Sequence, residues 1–192
     1  MKKLLLAALV TTTLGFAGLA TAATTVSSGT ITVNGKIVSS TCAVTANNAQ
    51  NPTITLPTLD TNALSTVGSA AGWTALTFSV TGCSAVTGAT AVSTYFSSAN
   101  VDTTSGYLKN TTAGGSNVEI VLSNSQSAVA GTTGALALNG VAGAQNAQTA
   151  TLPTSGSAGA ATFNYYVGYV ANGAAATAGA VNTTVQYALS YQ

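Results

Sequence analysis

Apolar and polar residues alternate with a period of two in short runs along most of the chain, the pattern of strands that bury one face. The run at 73–83 puts Leu76, Phe78 and Val80 on one side. At 117–122, Val118, Ile120 and Leu122 alternate with Glu119 and Val121, and at 163–171 Phe163, Tyr165, Val167 and Tyr169 share a face. Residues 181–191 alternate again through Val185, Tyr187, Leu189 and Tyr191. Shorter strand candidates fall at 36–44, 53–56, 91–96, 106–108 and 135–138; Pro57, which has no amide donor, closes the second of these. Residues 60–64 read as one helical turn capped by Asp60 or Thr61. Residues 47–52 and 172–179 are turn-like, and 123–157, rich in Ala, Gly, Ser, Thr and Asn, reads as surface hairpin and loop. No segment sustains a 3.6-residue period. Several short strands at near-regular spacing predict an all-β sandwich.

One alternating stretch has no partner in this scheme. Residues 23–35 read Ala-Thr-Thr-Val-Ser-Ser-Gly-Thr-Ile-Thr-Val-Asn-Gly, with Ser27, Gly29, Ile31 and Val33 on one side and Ser28, Thr30 and Thr32 on the other. Fully extended, 24–34 would span about 36 Å, the height of a sandwich. The stretch precedes the first cysteine, and no turn ties it to a neighbouring strand. A strand with an apolar face must bury that face in some sheet. Ahead of it stand the cationic Met1-Lys2-Lys3, an apolar run over 4–19 and the small-x-small site Ala20-Thr21-Ala22. Residues 1–22 therefore read as a cleaved signal peptide. The run is too short for a transmembrane helix and lacks a charged stop on its far side. The remainder has the length of one domain.

Composition narrows the function. After the signal peptide the chain holds Lys36 and Lys109 against Asp60, Asp102 and Glu119, with no arginine or histidine. Such a surface has no clustered cations to hold nucleic acid or an anionic membrane. It also gives little colloidal repulsion, a liability for a free monomer and harmless in a polymer. Without histidine there is no Ser-His-Asp or Cys-His arrangement and no imidazole to shuttle protons, so no enzyme is expected. Cys42 and Cys83 are the only cysteines, and in an exported chain an even pair reads as a disulfide. Closing that 41-residue loop is worth about 4 kcal/mol in the chain-entropy picture. Two thiols without histidine do not make a metal site, and no cofactor is expected. Gly29 to Lys36 resembles a phosphate loop only superficially: five residues separate the glycines, and Ile37 stands where a Ser or Thr should follow the lysine. The Asn110-Thr111-Thr112 and Asn182-Thr183-Thr184 sequons are of a kind that chance supplies in so Thr-rich a chain. Tyr165, Tyr166, Tyr169, Tyr187 and Tyr191 alternate within strands, as core and sheet-surface residues do.

Taken in order, these features resemble the major structural subunits of chaperone–usher fimbriae, the type 1 pilin family. The resemblance is carried by residues 24–35 ahead of Cys42-Ala43-Val44, then by Phe78-Ser79-Val80-Thr81-Gly82-Cys83, Gly179, and the penultimate Tyr191 after Val185, Tyr187 and Leu189. It implies an incomplete immunoglobulin-like sandwich (36–192) whose missing strand is supplied by the 23–35 extension of a neighbouring subunit. Ser27, Gly29, Ile31 and Val33 would be the inserted positions, with Gly29 over a shallow pocket. Gly179, Val185, Tyr187, Leu189 and Tyr191 would belong to a C-terminal strand handed over by a periplasmic chaperone. The partners implied are identical or related pilin subunits, that chaperone and an outer-membrane usher, with no nucleic acid. The location implied is a surface fimbrium reached through the periplasm. The alternative is a polymerising adhesin subunit that itself binds a host receptor.

Overall fold

The longest alternating runs form the longest strands in a computed structural model, which describes residues 30–39, 41–126, 134–154 and 158–192. The chain divides into two units, Met1–Lys36 and Ile37–Gln192. Within the second, the order is β1 (Ala43–Ala46), a 3₁₀ turn (Thr61–Leu64), β2 (Ala70–Cys83), β3 (Ala91–Ser97), β4 (Leu108–Lys109), β5 (Glu119–Ser123), β6 (Thr149–Thr151), β7 (Gly159–Val170) and β8 (Gln186–Tyr191). One sheet runs β1-β2-β7-β5-β4 and the other β6-β3-β8, with every named pairing antiparallel.

The inward positions of the two sheets meet in one main core, beside smaller buried clusters at Leu64, Val118 and Ala171 and at Tyr107, Val121 and Val170. Phe78 of β2 lies opposite Phe163 of β7, and Leu76 opposite Tyr165, so the predicted faces of both strands point the same way. Phe78, Phe96 and Tyr165 meet edge to face at centroid distances of 5.6 to 5.9 Å, a geometry that favours the positive rim of one ring against the negative face of the next. The Tyr165 hydroxyl shares a hydrogen bond with Thr94 Oγ1 at 2.7 Å and accepts one from the Gln148 amide at 2.9 Å. Burial still pushes its phenol above the ordinary tyrosine value. Cys42, just before β1, is bridged to Cys83 at the end of β2. Asp60 caps the 3₁₀ turn by accepting from the Asn62 amide at 2.8 Å.

The structure differs from the sequence pattern in instructive places. The first strand starts at Ala43 rather than at 36, because its ladder ends where Thr81 faces Ala43 and β2 then bulges through Gly82 at positive φ. The 123–157 region is more than surface loop. Its described part sends Leu136, Leu138 and Leu152 into the core and contributes β6 to the second sheet. The 135–138 candidate makes only an isolated bridge between Ala135 and Ser123. Gln145 from the same region is buried, and its side chain works as a short piece of strand. Its oxygen accepts from the Phe96 amide at 2.9 Å, and its nitrogen donates to the Phe96 carbonyl at 2.7 Å. That pairing closes the β3 edge beyond the point where β6 stops.

Candidate functional site

Two extended segments that alternate like strands make no ladder with each other. Along 52–56, Pro52, Ile54 and Leu56 turn inward and are half-buried, while Thr53 and Thr55 are exposed. Along 181–185, Val181, Thr183 and Val185 are half-buried between exposed Asn182 and Thr184. Among the described residues no backbone–backbone hydrogen bond reaches 51–59, a stretch that contains Pro52 and Pro57. On the other segment only one side is satisfied. The Asn182 carbonyl accepts from the Thr111 amide at 2.8 Å, the Asn182 amide donates to Asn110 Oδ1 at 2.9 Å, and the Thr184 carbonyl accepts from Ser98 Oγ at 2.7 Å. Main-chain groups in an extended segment alternate in direction, so those of Thr183 and Val185 face the other way and have no such partners.

Between these rims lies an apolar groove. Its main cavity, about 550 Å³, is floored by Leu76, Leu108, Ile120, Leu122, Val167 and Tyr169. It runs on into a second cavity of about 470 Å³ over Ala46, Phe78, Phe96 and Tyr187. At that end Tyr187 stacks edge-on against Phe78 at 4.9 Å and donates its hydroxyl to the Gln50 carbonyl at 2.6 Å, tying the two rims together. At the opposite end Gly179 passes so close to the 115–116 backbone that a Cβ there would sit 2.4 Å from the Ser116 nitrogen. Glycine is required at that crossing. The crossing is held by Ser116 and Asn110, which donate to the Ala180 carbonyl at 3.1 and 2.9 Å.

Chemically the groove is neutral, with an apolar floor. Among the described residues no charged side chain lines either cavity, and burial raises the phenol of Tyr169 on the floor of the first. Thr183 Oγ1 is buried there without a hydrogen-bond partner. Lys109 pairs with Asp102 at 3.2 Å on the surface. Among the described residues no cluster of three or more His, Cys, Asp or Glu side chains is placed to hold a metal. A site with an apolar floor and unpaired main-chain groups along its rims is matched by an extended, neutral segment with alternating apolar residues.

The expected site residues fall as follows. Ser27 and Gly29 lie outside the described residues. Ile31 and Val33 are 89% and 87% exposed, a severe exposure for two branched apolar side chains. Of the C-terminal set, Tyr187, Leu189 and Tyr191 belong to β8 and pair with Phe96, Thr94 and Val92, whereas Val185 and Gly179 precede that strand. The Gln192 main-chain oxygen accepts from the Thr90 and Ala91 amides at 2.6 and 3.0 Å, anchoring the end of β8. Sequence reasoning missed Thr183, the open state of 52–56 and the role of Gln145. Only the prolines at 52 and 57 hinted that the intervening run pairs with nothing in its own sheet.

The chain is similar to known proteins over nearly its whole length. A family model described as type-1 fimbrial protein A matches residues 56–192. The F17 fimbrial protein of Escherichia coli is 39% identical over 180 residues, covering 92% of this chain and 94% of that protein. The major fimbrial subunit SMF-1 of Stenotrophomonas maltophilia is 37% identical over 167 residues, covering 85% and 92%. Two solved structures share the fold. One, of a chaperone–usher pilus, has a TM-score of 0.54 at 19% identity and covers 86% of this chain and 96% of the matched chain. The other, the P pilus rod subunit PapA, has a TM-score of 0.52 at 20% identity and covers 79% and 99%.

Proposed function

The chain belongs to the type 1 fimbrial protein family and is a structural subunit that polymerises into a surface fimbria; from that premise we propose how one subunit joins the next. The 23–35 extension of one subunit inserts between residues 52–56 and 181–185 of its neighbour. Ser27, Gly29, Ile31 and Val33 face the floor, and the backbone of the inserted segment completes both open ladders.

The observation that carries this reading is the fit of two incomplete halves on the same chain. One is a neutral apolar groove with unpaired rims. The other is an extension holding Ile31 and Val33 in water. Burying those two side chains contributes about 1.5–3 kcal/mol each, and the unpaired main-chain groups gain partners. The insertion is intermolecular in the fibre. The empty groove also needs cover before assembly, which supports a periplasmic chaperone bound along Val185, Tyr187, Leu189 and Tyr191 near Gly179, with delivery through an outer-membrane usher. Residues 1–22 serve as the export signal in this reading. The names of the relatives, major and rod subunits, support a structural role over one of binding a host receptor.

The experiment moves a copy of residues 24–34 behind Gln192 through a short Gly/Ser linker, in a chain whose own extension is deleted. Intramolecular insertion at millimolar-scale effective concentration should give a soluble monomer that melts well above the deletion variant. A graft that aggregates, or melts no higher than the deletion variant, overturns the reading.

A further inference from the structure

Three Asn-Gly steps occur in the described chain, and the structure treats them differently. Asn139 donates its side-chain amide to the Thr103 carbonyl at 2.9 Å, and the amide of Gly140 is tied to the Ala137 carbonyl at 2.8 Å. Asn172 donates to Glu119 Oε2 at 2.8 Å, a carboxylate that also accepts from Ser105 and is buried with β5. Asn34 is exposed, in no strand, and no described residue hydrogen-bonds its side chain. A Cβ added to Gly35 would meet nothing within 4 Å. The space about Gly173 is as open as that about Gly35, so the difference lies in the reactive amide, which is held at Asn139 and Asn172 and unheld at Asn34, while the attacking nitrogen is tied at Gly140.

We propose that Asn34-Gly35 is a deamidation site, open in a free subunit and closed once residues 23–35 are seated in a neighbour, so that unassembled subunits lose assembly competence with age. The proposal rests on the strand-insertion reading for its second half only. In the chemistry, the deprotonated main-chain nitrogen of Gly35 forms a bond to the side-chain carbonyl carbon of Asn34. The bond from that carbon to the amide nitrogen breaks, and ammonia leaves with a proton. Water then opens the resulting five-membered succinimide at either carbonyl, giving aspartate or isoaspartate. No oxidant or reductant is needed, and the co-reactant is solvent. Glycine is the favourable successor because it has no side chain to block the approach, and its backbone reaches conformations closed to other residues.

Seating stops the reaction by geometry. A paired strand holds each residue near φ −140° and ψ +135°, about, and engages its main-chain nitrogen in the ladder, so Gly35 cannot swing onto the Asn34 side chain. Conversion has a cost for insertion. Aspartate brings a charge to a joint whose groove carries none. Isoaspartate adds a carbon to the main chain and shifts the Gly35 nitrogen off its position at the end of the ladder.

The test fills a subunit's groove with a synthetic peptide of residues 24–34, which leaves the subunit's own extension free, and compares it with purified fibres under the same incubation. Isoaspartate and the NH₂-to-OH mass change are read by peptide mapping at Asn34, Asn139 and Asn172. In the peptide-filled subunit, Asn34 should convert about tenfold or more faster than either internal site, equivalent to a barrier lower by about 1.4 kcal/mol. In fibres that excess should vanish, and Gly35→Ala should suppress it in the free state. Equal rates at the three sites overturn the proposal. Equal rates at Asn34 in fibres and free subunits overturn it too, provided amide hydrogen exchange shows residues 53–56 protected in the fibres. If those amides stay unprotected in fibres, the strand-insertion reading itself has failed.

Discussion

The C-terminal alternating run divides into two halves with one pattern and two fates. From Gln186 to Tyr191 its main chain pairs with β3, and Leu189 and Tyr191 close against a finished core. From 181 to 185 the same period continues with Val181, Thr183 and Val185 turned inward, and the side facing 52–56 pairs with none of the described residues. The difference lies in the neighbour rather than in the residues. Period-two alternation reports which face is buried and leaves open whether the edge is paired within the chain.

That contrast predicts different responses to mutation in the empty subunit and in the grafted, filled one. The largest effect belongs to the finished core. Phe163→Ala should cost about 3–5 kcal/mol in both forms, measured by denaturant unfolding. Ile54→Ala should separate them, costing about 2–5 kcal/mol when the groove is filled and far less when Ile54 is only half-covered. Equal costs in the two forms would mean that the groove does not become core.

Removing the Cys42–Cys83 bridge by paired alanine substitution should cost about 2–5 kcal/mol in either form, since the crosslink acts chiefly on the unfolded chain. Gln145→Leu sharpens the comparison at smaller scale. It strands the Phe96 amide and carbonyl inside the core, for about 1–3 kcal/mol per orphaned group, again equally in both forms.

The smallest effect is that of pH. Burial raises the Tyr165 phenol, so its contribution is complete below the unfolded tyrosine value near 10 and is lost as pH rises through the higher folded value. The Thr104 and Ser105 amides, and after them Lys109, hold the Asp102 carboxyl below its ordinary 3.8. Its contribution is present above that value and fades as pH falls through the folded one. With no histidine in the chain, the melting temperature should be nearly level from about pH 5 to 9. A step near neutrality would contradict this.

The fold class, the disulfide and the faces of β2, β5 and β7 were legible because long runs with one buried face have no other stable arrangement. The reading faltered where tertiary partners decide. Residues 36–41 have strand composition, yet the β2 bulge at Gly82 ends the ladder that would have extended β1. Gln145 sits in a polar, low-complexity region and looks like surface; only the proximity of Phe96 makes it core. The alternation at 29–33 was plain in the sequence, and with it the side proposed to insert. The groove proposed to receive it was not, because half of that groove comes from 52–56, too short a run to distinguish an unpaired edge from an ordinary strand.

Amide hydrogen exchange at Thr53, Ile54, Thr55, Leu56, Thr183 and Val185 tests the missing-strand account most directly. In a subunit with an empty groove these amides should exchange at nearly the rate of an open chain, while Phe78, Leu122 and Phe163 stay protected. In the fibre or the self-complemented graft, protection should appear along both rims, because an inserted strand supplies their acceptors. Rims already protected in the empty subunit, or still unprotected in the fibre, would contradict the account.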